Sequence, residues 1–150
     1  MNAIELKRPS QNPDRPIQFE LEYDQSRSYA VRGDIHLLRR MIRNALENAA
    51  SFARTKINIT LSEEGLKNWT LTIDDDGPGF SHEILKSFGE RRVSRVLQHV
   101  DSQNARLSVG LGSVILKTVA QVHGGKVKAE NRGTQSVLGA RVLIWLPRHS

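Results

Sequence analysis

The chain has 150 residues, no cysteine, 38% hydrophobic residues and a net charge of +6. That length suits one domain with its own core, and the missing cysteine excludes a disulfide framework, a thiolate nucleophile and a Cys-ligated metal. No apolar run approaches the roughly 18 residues of a membrane span, and the polar start has no signal-peptide core, so a soluble, cytoplasmic domain without direct membrane contact is expected.

Three of the five prolines are Pro9, Pro13 and Pro16, so residues 1–15 read as a leader or linker and residues 16–150 as the domain. Ile17, Phe19, Leu21 and Tyr23 alternate with polar residues and predict a strand; Tyr29 and Val31 suggest a second, short one. Asp34 is placed to cap a helix whose apolar residues, Ile35, Leu38, Ile42, Ala45, Ala49 and Phe52, recur every three or four positions to about Ala53. Ile57, Ile59 and Leu61, then Trp69, Leu71 and Ile73, predict a strand pair around a turn at Gly65. A loop with three carboxylates follows, then a short helix from Ser81 to about Phe88. Residues 89–109 have the length and charge of a lid, and Val93, Val96, Leu97 and Val100 give them helical spacing. A second long helix runs from about Gly110 until His123-Gly124-Gly125 ends it. Val127 and Ala129 start a strand, and the alternation from Leu138 to Leu146 predicts the last, stopped by Pro147. Helices interleaved with strand pairs predict an α+β fold, a two-layer sandwich with helices on one face of a sheet.

Three groups of residues carry chemistry. Asn44 and Asn48 share one helical stripe, with Ser51 one turn further on; an amide oxygen is a hard, neutral ligand that suits Mg²⁺. Asp74-Asp75-Asp76-Gly77-Pro78-Gly79-Phe80 ends a strand in carboxylates and a tight turn. A carboxylate only accepts hydrogen bonds, so it suits the exocyclic amine of adenine, while pyrophosphate would be repelled. Gly110-Leu111-Gly112-Ser113 opens a helix, where exposed amides and the helix dipole favour phosphate. A plain surface role competes with each group taken alone. The charge surplus is scattered and aromatics are 5%, which points to a small anionic ligand and not to nucleic acid.

The order and spacing of these groups resemble the ATP-binding catalytic domain of bacterial sensor histidine kinases, within the wider family of DNA gyrase B, Hsp90 and MutL. Arg43 to Ala49 resembles that family's N box, Asp75 to Phe80 its G1 box, Phe88 the start of an F box, Gly110-Leu111-Gly112 its G2 box, and Gly139 to Pro147 its closing strand. The resemblance spans about residues 16–147. It implies the Bergerat fold: a mixed, mostly antiparallel sheet, three main helices on one face, and an ATP lid. It implies that Asp75 meets the adenine amine, Gly77 and Gly79 shape the adenine pocket, and Asn48 ligates Mg²⁺ with Asn44 near the phosphates. Gly110 and Gly112 would hinge the lid and meet the phosphates, and Ser51, Phe52, Phe80, Leu111 and Ser113 complete the expected nucleotide-binding set.

The implied reaction is transfer of the γ-phosphoryl group of ATP to a histidine on a separate dimerisation and phosphoacceptor domain, with a response regulator downstream. Hydrolysing relatives carry a glutamate at the Asn44 position, and asparagine cannot act as a base. Ser51 stands where a Lys or Arg is usual, Arg91 where a second F-box aromatic is common, Ser108 replaces a usual glycine and Ser113 a usual leucine. Arg54 or the lid arginines, Arg91, Arg92, Arg95 and Arg106, are candidate phosphate contacts. These departures keep open a degenerate nucleotide-binding module, alongside an anti-sigma-type serine kinase. His82-Glu83 reads as a surface pair, His123 as packing or helix termination, and no phosphoacceptor motif is recognised.

Overall fold

The computed structural model describes residues 16–90, 110–133 and 139–149. The elements in chain order are β1 (Gln18–Tyr23), α1 (Ile35–Phe52), β2 (Lys56–Glu64), β3 (Asn68–Asp75), α2 (His82–Ser87), α3 (Gly110–Val122), β4 (Lys126–Arg132) and β5 (Gly139–Pro147). They form a five-stranded sheet in the order β1-β2-β3-β5-β4. β1 runs parallel to β2, which requires a crossover, and α1 is that crossover. The other three pairings are antiparallel. The sheet is therefore mixed and mostly antiparallel, as expected.

α1 forms because its apolar residues hold a 3.6-residue period and because Asp34 caps it, its carboxylate accepting from the backbone N–H of His36 and Leu37. Those two bonds hold the Asp34 carboxyl below the usual carboxylate range. The inward stripe, Met41, Ala45, Leu46 and Ala49, packs with Leu116, Val119 and Ala120 of α3 over Ile57, Ile73, Val142 and Ile144 of the sheet. Each large side chain buried this way contributes about 1.5–3 kcal/mol. α2, capped by the Ser81 hydroxyl, adds Ile84 to the same layer.

The expected short strand at Tyr29 and Val31 does not form. The segment runs beside the end of β2 and β3 without joining a ladder. Its pairing capacity goes elsewhere: the Ala30 carbonyl accepts from the Trp69 indole at 3.0 Å and from the His149 backbone N–H at 2.9 Å. Tyr29 packs on Trp69, ring centroids 4.6 Å apart. The leader, the lid with its helical stripe, and the candidate arginines 91, 92, 95 and 106 lie outside the described residues.

Candidate nucleotide-binding site

The three adjacent carboxylates of the acidic run have three different surroundings, because strand parity separates them. Asp74 is on the sheet face away from the helices. There Arg141 grips it in a two-pronged contact, 2.7 and 2.9 Å, and Arg132 lies 3.4 Å away. The Asp74 hydrogen bond raises the Arg141 guanidinium above its ordinary value. Asp76 leaves the strand and turns toward the end of α1. Its carboxylate accepts from the backbone N–H of Arg54 at 2.7 Å and from the Thr55 hydroxyl at 2.6 Å. Burial pushes that carboxyl up, but the bonds from Thr55, Lys56 and Arg54 outweigh it and hold it below the usual range. Asp75 alone shares the inward face of Ile73, between Ile57 on β2 and Ala140 on β5. It is only 3% exposed, and one carboxylate oxygen accepts from the Gly77 backbone N–H at 2.9 Å.

Glycine is required in the turn that follows. A Cβ at Gly77 would run into the Phe52 carbonyl and come within 2.7 Å of Asp75 Oδ1. Gly79 takes a left-handed conformation, φ 77°, and a Cβ there would sit 2.8 Å from Asn131 Oδ1. The turn is held from the far edge of the sheet. Asn131 accepts from the Phe80 N–H at 2.6 Å and donates to the Phe80 carbonyl at 2.9 Å. Phe80 is buried, its ring edge-on to Phe88, centroids 5.9 Å apart. Asn131 is absent from the set expected from sequence. Its signal was available: Val127 and Ala129 set the inward parity of β4, and an asparagine occupies the next inward position.

Asn44 and Asn48 lie on α1 facing the start of α3. Asn44 donates to the Arg40 carbonyl at 2.8 Å, which leaves its side-chain oxygen toward Gly112, 4.0 Å from where a Cβ would be. The Asn48 side-chain oxygen is buried without a hydrogen-bond partner. A buried unpaired amide oxygen costs about 1–3 kcal/mol; Asn58 Oδ1 and Trp145 Nε1 share that state on the sheet, and Asn48 is the one of the three on α1, one turn before Phe52 at the Asp75 turn. A hard cation suits it, and the residues present fit Mg²⁺.

The remaining expected residues divide. Phe52 places its carbonyl against Gly77 and so borders the Asp75 turn. Ser113 is buried and its hydroxyl accepts from the Gly89 N–H at 3.2 Å, tying α3 to the segment after α2. Leu111 is 76% exposed beside Gly110 and Gly112 at the start of α3. Ser51 is exposed, and its hydroxyl donates back to the Glu47 carbonyl at 2.8 Å. Arg54 is exposed, and its backbone N–H donates to the Asp76 carboxylate. The structure thus gathers Asp75, Gly77, Gly79, Phe80 and Phe52 at one end of the helix pair, with Asn44, Asn48 and Gly112 beside them. His82 and Glu83 are exposed at the start of α2.

Comparison with known proteins bears on this arrangement. Residues 33–150 match the family of histidine kinase-, DNA gyrase B- and HSP90-like ATPases. The chain belongs to that family. Within it, the sensor histidine kinase CpxA of Escherichia coli K12 is 34% identical over 123 residues, 79% of this chain and 24% of that protein. The sensor protein KdpD of Clostridium acetobutylicum is 34% identical over 105 residues, 69% of this chain and 11% of that protein. The chain therefore spans about a quarter or less of these two relatives. Among solved structures, the mycobacterial sensor histidine kinase MprB superposes with a TM-score of 0.71 at 26% identity, covering 89% of this chain and 84% of that one. The catalytic domain of histidine kinase ThkA shares the fold, with a TM-score of 0.64 at 20% identity, covering 87% and 78% of the two chains. This is an ATPase-family domain of the kind found in two-component sensor kinases, with the α+β fold of their catalytic domains. Among the described residues no helix is long and apolar enough to cross a membrane.

Proposed function

We propose that this domain binds ATP with Mg²⁺ between α1 and α3 and presents the γ-phosphoryl group to a histidine on a separate dimerisation and phosphoacceptor domain. A response regulator would receive the group next. The observation that carries the reading is the pairing, at one end of the fold, of a buried Asp75 carboxylate above a glycine-cleared turn with a buried, unpartnered Asn48 oxygen.

Each residue has a role in this reading. Asp75 accepts the adenine amine. Gly77 and Gly79 keep the backbone low enough for a flat base to lie on it, with Phe80 and Phe52 beside it. Asn48 holds Mg²⁺, which supplies charge neutralisation on the phosphates. Asn44 and the Gly110–Gly112 amides contact phosphate, aided by the positive end of the α3 dipole. Leu111, Ser113 and Ser51 border that end. Asn44 stands where the hydrolysing relatives carry a glutamate, and an amide cannot act as a base toward water. Catalysis then comes from positioning and charge neutralisation, which suits transfer to a protein acceptor. We also take residues 16–150 as the domain and residues 1–15 as its leader.

The experiment is phosphotransfer in trans. The domain is mixed with labelled ATP, Mg²⁺ and a separately produced histidine phosphoacceptor domain. Acid-labile, base-stable phosphate on the acceptor is the expected outcome, lost in Asn48→Ala. ATP binding without transfer would instead favour a regulatory nucleotide module. The Ser51 hydroxyl, turned back on its own helix where a cation would reach phosphate, supports that second reading.

A further inference from the structure

At the other end of the α1–α3 pair we propose a docking surface for an acidic helix of a protein partner. From Asp34 at the cleft to Asn48 the helix rises about 21 Å, so the cleft and the adjoining Arg32 and Arg39 lie apart from the nucleotide end, and the inference does not rest on that reading. A cleft of about 530 Å³ opens there, lined among others by Arg32, Asp34, Leu37, His123, Arg148 and His149. Several of its polar groups are already committed. Asp34 caps α1, His123 links α1 to α3, and Arg148 pairs with Glu63 while lying 4.8 Å over the Trp69 ring.

The uncommitted charge is all positive. Arg32 stands on the cleft wall, and Arg39, Arg40 and Arg43 continue from it along the exposed side of α1, with His36 beside them. Among the described residues, Arg32, Arg39, Arg40 and Arg43 have no ion-pair partner. His36–Arg40 and Arg39–Arg43 are i, i+4 pairs, so they form two short ridges. A second helix laid along them meets the ridges with carboxylates at the same spacing. Arginine, with its planar fork, is the cation suited to carboxylates. Exposed apolar residues flank the charges, Ile35 on one side and Val122 on the cleft side.

The shape selects among polyanions. A lipid surface is flat and would leave the cleft unfilled. A nucleic-acid site would offer stacking aromatics, and no aromatic residue other than histidine lines the cleft. A helix carrying Glu at every fourth position, with one side chain entering the cleft, uses both features.

The test uses fluorescent synthetic helical peptides with Glu at every fourth position, or Gln at the same positions, titrated with the whole chain and read by anisotropy. The Glu peptide should bind and the Gln peptide should not, with affinity falling as salt rises. Arg32→Glu with Arg39→Glu should weaken binding of the Glu peptide at least about tenfold and confer binding of a Lys peptide, with thermal unfolding unchanged. If that variant fails to fold, Arg32→Gln with Arg39→Gln serves in its place. Equal binding of the Glu and Gln peptides, or no binding of either, would overturn the proposal. So would binding of phosphatidylserine vesicles or duplex DNA through these arginines while the Glu peptide stays unbound.

Discussion

The two ends of the α1–α3 pair are built from the same two helices and use their polar groups in opposite ways. At the start of α1, the His123 ring is spent on both sides. Nδ1 donates to the Val119 carbonyl at 2.7 Å, and Nε2 accepts from the Asp34 backbone N–H at 3.0 Å. A Cβ at Gly33 would run into that ring, so glycine clears its place. At the other end the Asn48 oxygen is buried and unpartnered, and Asp75 is buried beside glycines that leave room. One end is a closed joint. The other holds an unpaired buried oxygen beside a glycine-cleared turn; Asn58 Oδ1 and Trp145 Nε1 are also unpaired, but neither belongs to that turn or to α1. This contrast sets the fully paired joint at His123 apart from the pocket at Asn48 and Asp75, whose buried groups leave room for a ligand.

Substitutions at each end test that contrast. Gly77→Ala should have the largest effect. Its Cβ meets the Phe52 backbone first and the Asp75 carboxylate next, so the turn must move, at about 1–3 kcal/mol of stability, and ATP affinity measured by calorimetry should fall below detection. Asn131→Ala removes both bonds to the Phe80 peptide. It should cost about 1–3 kcal/mol in urea unfolding and also weaken ATP binding, because the turn it holds carries Gly79. His123→Ala tests the closed end. About 1–2 kcal/mol of stability should be lost with ATP affinity unchanged; a large fall in affinity would show that the two ends are not separable. The smallest effect concerns acid. The folded Asp76 carboxyl lies below its reference of 3.8, so its contribution is complete above that value and is lost as pH falls through the lower folded value. Asp76→Asn should therefore flatten the stability profile below about pH 4 and remove that contribution at neutral pH, as read by thermal unfolding across pH.

Much of the fold was legible from periodicity. α1, β2, β3, α3 and β5 each keep a clean 3.6- or 2-residue pattern over many positions, and their ends carry Asp34, Gly65, Gly124 and Pro147 as markers. Tyr29 and Val31 misled because alternation over so few residues does not distinguish a strand from a segment whose backbone bonds go to an indole and the chain end. Within the site, the run of Asp74, Asp75 and Asp76 read as one acidic feature. Strand parity divides it into an arginine-paired residue, a buried inward acceptor and a loop cap. The sequence holds that information once the register of β3 is known, and not before. Asn131 was missed for a related reason: its importance lies in a contact with Phe80, 51 residues earlier, across three strands. Asn48 was singled out through the family pattern, whereas its unpaired oxygen is visible only in the packed structure.

The central claim is that Asp75 and Asn48 mark the two ends of one ATP·Mg²⁺ site. Calorimetric titration of ATP into the wild type and Asp75→Asn, each with and without Mg²⁺, tests it most directly. Mg²⁺-dependent binding to the wild type is expected, with a loss of about 10- to 100-fold in Asp75→Asn and thermal stability nearly unchanged. Equal ATP affinity in the two proteins, or no binding by a folded wild type, would contradict it.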